Sequence, residues 1–313
     1  MANLVTVTLN PALDVSTSVP RVEPTHKLRC TELRRDPGGG GINVARVVRR
    51  LGMDVLALYA VGGPIGQLLE SLVVRERVES HPIAISAHTR ENFTVDATEA
   101  KQQFRFVFPG PELSANEWHQ CLEGVESLQP FPAYLIASGS LPPGVPSDFY
   151  ARLARIARGH QARFVLDTSG PALKAALAES VYLIKPNLRE LSELVGRPLT
   201  SETAQAEACR VLVERGQAEV VALTLGHQGA LVATRQRMWR AAPLNITPVS
   251  AVGAGDSFLG GLLWSLACGH ELPQALQYAM AAGSAAVLAH GTGLCEAHDV
   301  ARLYPHVQVT RVT

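Results

Sequence analysis

Two glycine-rich stretches precede helical periodicity in this sequence, and each is followed by a polar residue on the first turn of its helix. The first is Val252-Gly253-Ala254-Gly255-Asp256-Ser257, followed by Phe258, Leu259, Leu262, Leu263 and Leu266 at helical spacing. Small residues leave backbone amides uncovered at a helix N-terminus, where unpaired N–H groups and the helix dipole attract a phosphate. Asp256 sits within reach of whatever those amides bind, although an Asp placed only to favour the dipole fits the same residues. In the second stretch, Gly38 to Gly41 opens a helix whose Val44, Val47, Val48 and Leu51 form one stripe ending at Gly52. Asn43 lies off that stripe. Four glycines let a polyol approach the backbone while an amide bonds a hydroxyl, and the alternative is a flexible loop beside an ordinary Asn.

The elements that must position these loops are legible as short apolar runs alternating with helical periodicity, the pattern of parallel βαβ units. Leu135–Ala137, Phe164–Leu166, Val181–Ile184 and Val220–Leu223 read as buried strands. A helix is expected over Ser147–Gly159, with Ser147 as its N-cap, and another from Thr200–Ser201 to about Gly216. The fold expected is a doubly wound, mostly parallel α/β sheet. Polar residues follow four strands, namely Ser138 with Ser140, Asp167, Lys185 with Asn187, and Thr224 with Gly226, and such loops line ligand clefts in open α/β sheets. Asp14 follows the strand Leu4–Leu9 and is expected at a strand end as well. Asn187 and Glu190 have the spacing of a capping box, and a carboxylate there also suits the water shell of a phosphate-bound Mg²⁺.

Two stretches break the pattern. Over Asn92–Phe108, Phe93, Val95 and Ala97 alternate with Thr94, Asp96 and Thr98, and Phe104, Phe106 and Phe108 alternate with Arg105 and Val107. Period two implies strands with one buried face. Val15–Arg34 also reads as extended, with Leu28 and Cys30 alternating with Arg29 and Thr31. These two insertions are expected to form a small separate sheet, which must cover a cleft, pair with another subunit, or do both.

The chain has 313 residues, 47% of them apolar and 18% charged, which excludes disorder and collagen-like structure. Lys plus Arg and Asp plus Glu each number 28, so no chain-wide field favours nucleic acid or an anionic membrane. Five scattered cysteines and the lack of a signal-peptide pattern point to the cytoplasm. Leu272–Cys295 carries no charge, but Pro273, His290 and several glycines favour a buried helix and loop over a membrane span. The sequence holds no G-x-x-x-x-G-K-[ST] and no strand-linked G-x-G-x-x-G with its acidic partner, which excludes a P-loop and argues against a dinucleotide fold.

Taken together, GGGGIN at 38–43, SGSLPPG at 138–144, KPNLRE at 185–190 and VGAGDS at 252–257 resemble the phosphofructokinase B family of ribokinase-like sugar kinases, over nearly the whole chain. HKLRC at 26–30, GGGGINVAR at 38–46, RFVFPG at 105–110 and GTGLC at 291–295 are similar to its bacterial minor-isozyme 6-phosphofructokinase branch. Relatives acting on tagatose 6-phosphate or fructose 1-phosphate usually carry Lys inside the glycine loop, where this chain has Gly40. The resemblance implies one ribokinase-like domain over 1–313, with a β-lid from insertions at about 13–34 and 88–109.

It further implies ATP-dependent phosphorylation of fructose 6-phosphate at the C1 hydroxyl. Asp256 would be the base, and the Gly253, Ala254 and Gly255 amides would hold the phosphoryl oxygens. Asp14, Gly39 and Asn43 would hold the sugar hydroxyls, Arg90, Arg105 and Ser140 its phosphate, and Lys27 would reach that phosphate in its own or a neighbouring subunit. The resemblance assigns ATP to Lys185, Asn187, Glu190, Thr224, Gly226, Gly229 and Ser284, with Mg²⁺ near Glu190 through water. A potassium site would use backbone oxygens matching Ser250, Val252, Ala286, Ala289, Gly291 and Gly293. A homodimer through the lid is expected. The alternatives are a tagatose-6-phosphate kinase, a 1-phosphofructokinase, and a non-catalytic sensor of sugar phosphate or nucleotide.

Overall fold

The computed structural model describes residues 3–31 and 33–312. Its strands are β1 (Leu4–Thr8), β2 (Ala12–Val19), β3 (Arg34–Gly38), β4 (Leu56–Val61), β5 (Glu79–Ala84), β6 (Arg90–Ala97), β7 (Gln102–Val107), β8 (Tyr134–Ser138), β9 (Arg163–Asp167), β10 (Val181–Ile184), β11 (Ala218–Thr224), β12 (Ala230–Thr234), β13 (Met238–Ala241) and β14 (Val309–Val312). The α-helices are α1 (Gly40–Arg50), α2 (Gly63–Arg75), α3 (Ala115–Glu126), α4 (Phe149–Gly159), α5 (Gly170–Ala176), α6 (Leu188–Val195), α7 (Glu202–Glu214), α8 (Ala254–Ala267), α9 (Leu272–Ala286) and α10 (Ala297–Leu303).

Ten strands form one sheet in the order β14-β13-β12-β11-β10-β9-β8-β1-β4-β5, parallel from β5 to β11 and antiparallel beyond. One face packs on α3 to α7 around Phe149, Leu153, Cys209 and Leu212, and the other on α1, α2 and α8 to α10 around Val44, Val47, Leu259 and Leu263. Strand order reverses between β1 and β8, and a crevice opens at such a reversal beyond the strand C-termini. The glycine loop enters it: a Cβ on Gly40 would lie 2.1 Å from Ser138 Oγ, and one on Gly41 2.4 Å from Thr8 Oγ1. Only glycine lets α1 start this close to the ends of β1 and β8.

The second sheet has the order β3-β2-β6-β7 and differs from expectation in two respects. Asp14 lies within β2, paired with Asp36 and Asn92, rather than at the end of β1. The segment 20–31 is irregular, with Leu28 and Cys30 both exposed, because only one backbone bond, from Thr31 N to Ser18 O, ties its described part to β2. Of the two faces that the alternation left unassigned, the phenylalanine one is open. Register places Phe93 opposite Phe106, and these with Phe108 are 39%, 52% and 47% exposed, while Thr94 on the other face is buried. A one-layer sheet can lay only one face on its own domain, and here that face is the polar one carrying Asp14 and Asn92. In the main body, α4 starts at Phe149 with Asp148 as N-cap instead of Ser147, and neither residue supplies a side-chain cap. Among the described residues no helix is long and apolar enough to cross a membrane.

Candidate active site

Helix α8 begins at Ala254 after Gly253, which is left-handed at φ 73°. A Cβ there would sit 2.6 Å from Leu294 Cδ2, so glycine is demanded by both conformation and space. The first turn places Asp256 where Asn43 Nδ2 donates to its Oδ2 at 2.8 Å. The two glycine-rich helices, remote in sequence, thus meet through their first-turn polar residues. Lys185, 6% exposed at the end of β10, pairs with Asp167 Oδ1 at 3.1 Å, and Ser138 Oγ donates to the other oxygen of Asp167 at 3.2 Å. A Cβ on Gly255 would stand 3.5 Å from Lys185 Nζ, which brings the ammonium against the α8 turn.

Burial, followed by the charge of Asp167, pushes the Asp256 carboxyl up to about 6, against the opposing pull of the Asn43 hydrogen bond and Lys185. The group remains an anion above neutrality and accepts a proton readily. Burial disfavours the Lys185 ammonium, but Asp167 and then Asp256 outweigh it and hold the group above the usual lysine range. One cation between two carboxylates, beside uncovered helix amides, can bind a phosphoryl group and take a proton from a nearby hydroxyl.

On the lid side, Asp14 Oδ1 accepts from Asn92 Nδ2 at 2.9 Å, and its carboxyl is raised by burial despite that bond and the nearby Arg90 charge. Gly38 lacks a side chain because a Cβ would lie 2.0 Å from Asp14 Oδ2, and Gly39, at φ 114°, faces Thr8 and Pro11. Arg90 donates to the carbonyls of Phe108 at 2.8 Å and Asn10 at 3.0 Å, while Asn10 Nδ2 donates to Ser140 Oγ at 3.1 Å. Arg90 and Ser140 are therefore brought together through Asn10. Arg105 is exposed on β7, on the polar face opposite Thr94, and Lys27 is exposed on the segment between β2 and β3.

On the other side of the cleft, Asn187 and Glu190 form both bonds of a capping box at the start of α6, each 2.9 Å. Asn187 bridges to Thr224 at the end of β11. Gly226 and Gly229 have φ of 58° and 91°, and a Cβ on Gly229 would lie 2.1 Å from the Ala241 carbonyl. Ser284 is buried on α9 beside Gly283, which packs on the first turns of α8. The segment holding Ser250 and Val252 lies against that holding Ala286, Ala289, Gly291 and Gly293. Ser250 Oγ donates to the Gly291 carbonyl at 2.8 Å, and the Ala286 carbonyl accepts from Ala289 N at 3.0 Å. Among the described residues no three His, Cys, Asp or Glu side chains converge as a metal cage.

Sequence reasoning marked Asp167 only as a strand-end residue and assigned it no role, and it passed over Asn10. Asp167 was findable as the one acid at a parallel strand terminus facing Lys185. Nothing in the local pattern around Asn10 announces that its side chain bonds Ser140 beyond β8 while its carbonyl accepts from Arg90 of the lid.

The family model described as pfkB family carbohydrate kinase matches residues 6–299. The chain is 45% identical over 301 residues to the ATP-dependent 6-phosphofructokinase isozyme 2 of Mycobacterium tuberculosis, covering 96% of this chain and 88% of that one. Crystal structures of phosphofructokinase-2 from Escherichia coli, in complex with potassium and with fructose-6-phosphate, are similar at TM-scores of 0.93 and 0.92 and identities of 39% and 38%, each covering 98% of this chain and 99% of that chain.

Proposed function

The chain belongs to the pfkB family of carbohydrate kinases, and from that premise we propose that it transfers the γ-phosphoryl group of ATP to the C1 hydroxyl of fructose 6-phosphate, giving fructose 1,6-bisphosphate. The observation that carries this reading is Asp256 on the first turn of α8, beside the Gly253–Gly255 amides and held by Asn43. Phosphoryl transfer asks for positioning and charge stabilisation more than covalent chemistry. Asp256 receives the hydroxyl proton as the sugar oxygen bonds to phosphorus, and a carboxyl near 6 is well matched to that exchange at neutral pH. The α8 amides and Lys185 face the transferring phosphoryl oxygens.

Asp14, Gly39 and Asn43 hold the sugar hydroxyls. Ser140 and Arg105 supply donors for its phosphate, with Lys27 reaching in from the lid segment. Two nitrogens of Arg90 are already bonded to carbonyls, so its part is to set the phosphate end of the cleft and add positive charge. Asn187, Glu190, Thr224, Gly226, Gly229 and Ser284 form the nucleotide side. Mg²⁺ would supply charge neutralisation of the nucleotide phosphates. Glu190 would hold such an ion only through water, since its Oε2 is engaged in the helix cap and its Oε1 is left to accept a further hydrogen bond. Potassium would be held through backbone carbonyls of the segments with Ser250, Val252, Ala286, Ala289, Gly291 and Gly293, which touch through the Ser250–Gly291 bond.

The open phenylalanine face supports a homodimer in which two small sheets cover each other. Phe106→Asp is expected to yield monomers by analytical ultracentrifugation, and an unchanged assembly would remove this face from the interface. Gly40 stands where the sibling kinases usually carry Lys, which counts against their substrates, and a Cβ there would lie 2.1 Å from Ser138 Oγ. A coupled assay with ATP, Mg²⁺ and fructose 6-phosphate, tagatose 6-phosphate or fructose 1-phosphate in parallel tests the assignment. The highest kcat/KM should fall on fructose 6-phosphate. Preference for another sugar would reassign the substrate, and no turnover on any would favour a sensor.

A further inference from the structure

We propose that Arg46 is a positioning residue for this chemistry: it locks the Asn43 amide in the one orientation that presents an N–H to Asp256. The inference rests on reading Asp256 as the base. Arg46 lies on α1 three residues after Asn43, and its side chain is 1% exposed. Its Nη1 donates to the Pro37 carbonyl at 2.9 Å and to Asn43 Oδ1 at 3.3 Å, and its Nη2 to Glu76 Oε1 at 2.6 Å, with Asp36 Oδ1 at 3.5 Å.

A guanidinium only donates and an ionised carboxylate only accepts. An amide between them has a single favourable arrangement, with oxygen toward Arg46 and nitrogen toward Asp256, where the 2.8 Å bond forms. The flipped amide would set oxygen against carboxylate and NH₂ against guanidinium. It could, however, accept a hydrogen bond from a protonated Asp256, so the lock specifically disfavours the protonated base. Packing alone does not call for this arginine, because a buried ion pair is often no more stabilising than apolar residues of similar volume.

The guanidinium is itself fixed from outside α1. Asp36 and Pro37 belong to β3 of the small sheet, and Asp36 also accepts from Arg34 and Thr292. Glu76 caps α2 and is gripped by Arg50. The orientation of the Asn43 amide is thereby keyed to the lid strand. The other ionisable groups facing Asp256 are Asp167 from β9, Lys185 following β10 and Asp14 from β2.

The test is the acid limb of kcat/KM against pH, which reports the base of the free enzyme. Wild type should show a limb near pH 6, absent from the residual activity of Asp256→Asn. Asn43→Ala removes the donor and should move the limb up by about one pH unit, tenfold in proton affinity. Arg46→Met should move it up by about threefold to tenfold in proton affinity, and adding Arg46→Met to Asn43→Ala should move it no further. Lysine cannot span Pro37, Asn43 and Glu76 at once, so Arg46→Lys should move the limb in the same direction while keeping the buried charge. It decides the question if Arg46→Met does not fold by circular dichroism. A limb at the wild-type position in the folded Arg46 variants, or additive shifts in the double variant, overturns the proposal. A wild-type profile without a limb near 6, or full turnover in Asp256→Asn, instead removes the base reading beneath it.

Discussion

Asp256→Asn is expected to make the protein more stable at neutral pH while lowering its turnover. Folding raises the Asp256 carboxyl from 3.8 to about 6, chiefly by burial and the charge of Asp167. Each pH unit corresponds to about 1.4 kcal/mol, so the ionised native carboxylate costs up to about 3 kcal/mol relative to the unfolded chain. Because the native state binds this proton more tightly, its stabilising effect is complete below pH 3.8 and is lost as pH rises through about 6. Asparagine keeps the neutral form at every pH, can still accept the Asn43 bond, and leaves Lys185 paired with Asp167 at 3.1 Å. Urea denaturation of the ligand-free protein should give a variant more stable than wild type by about 2–3 kcal/mol at pH 8, with the gap narrowing as pH falls through 6. A variant equally stable or weaker at pH 8 would show that the native cleft stabilises the carboxylate, and the burial argument would fail.

For wild-type turnover, kcat/KM should fall below about pH 6 with a single-proton slope, as the base becomes protonated, and a flat profile from pH 5 to 8 would exclude that group. Lys27→Ala should raise KM for the sugar phosphate with little change in kcat, and an unchanged KM would show that the lid lysine makes no substrate contact. Glu117 is held down at about 2 by the Ser86 backbone N–H, with further bonds from Ser114, so it stabilises the fold above the usual carboxyl range and loses that contribution as pH falls toward 2. Glu117→Gln should therefore lower the urea midpoint at pH 7 but much less at pH 3, and an equal loss at both would assign the effect to packing.

The main sheet was legible because buried parallel strands and amphipathic helices carry their periods openly: Leu135–Ala137, Phe164–Leu166 and Val220–Leu223 all fall within strands. The lid was harder. Alternation around Phe93 and Phe106 announced a two-faced strand, but period two does not say which face meets the protein, and the polar face turned inward. At the cleft, glycine loops and strand ends were readable from local pattern, whereas the pairing of Asn43 with Asp256 spans 213 positions and follows only from helix packing. Arg46 escaped for a related reason. Its charge near the α1 stripe looks like an ordinary surface arginine until Asp36 and Glu76 close over it.

Steady-state kinetics of Asp256→Asn with ATP and fructose 6-phosphate probe the chemistry most directly. Loss of the proton acceptor should lower kcat by at least ~10²-fold and leave both KM values nearly unchanged, since the binding groups stay in place. Turnover close to wild type would mean that another group, or none, removes the hydroxyl proton.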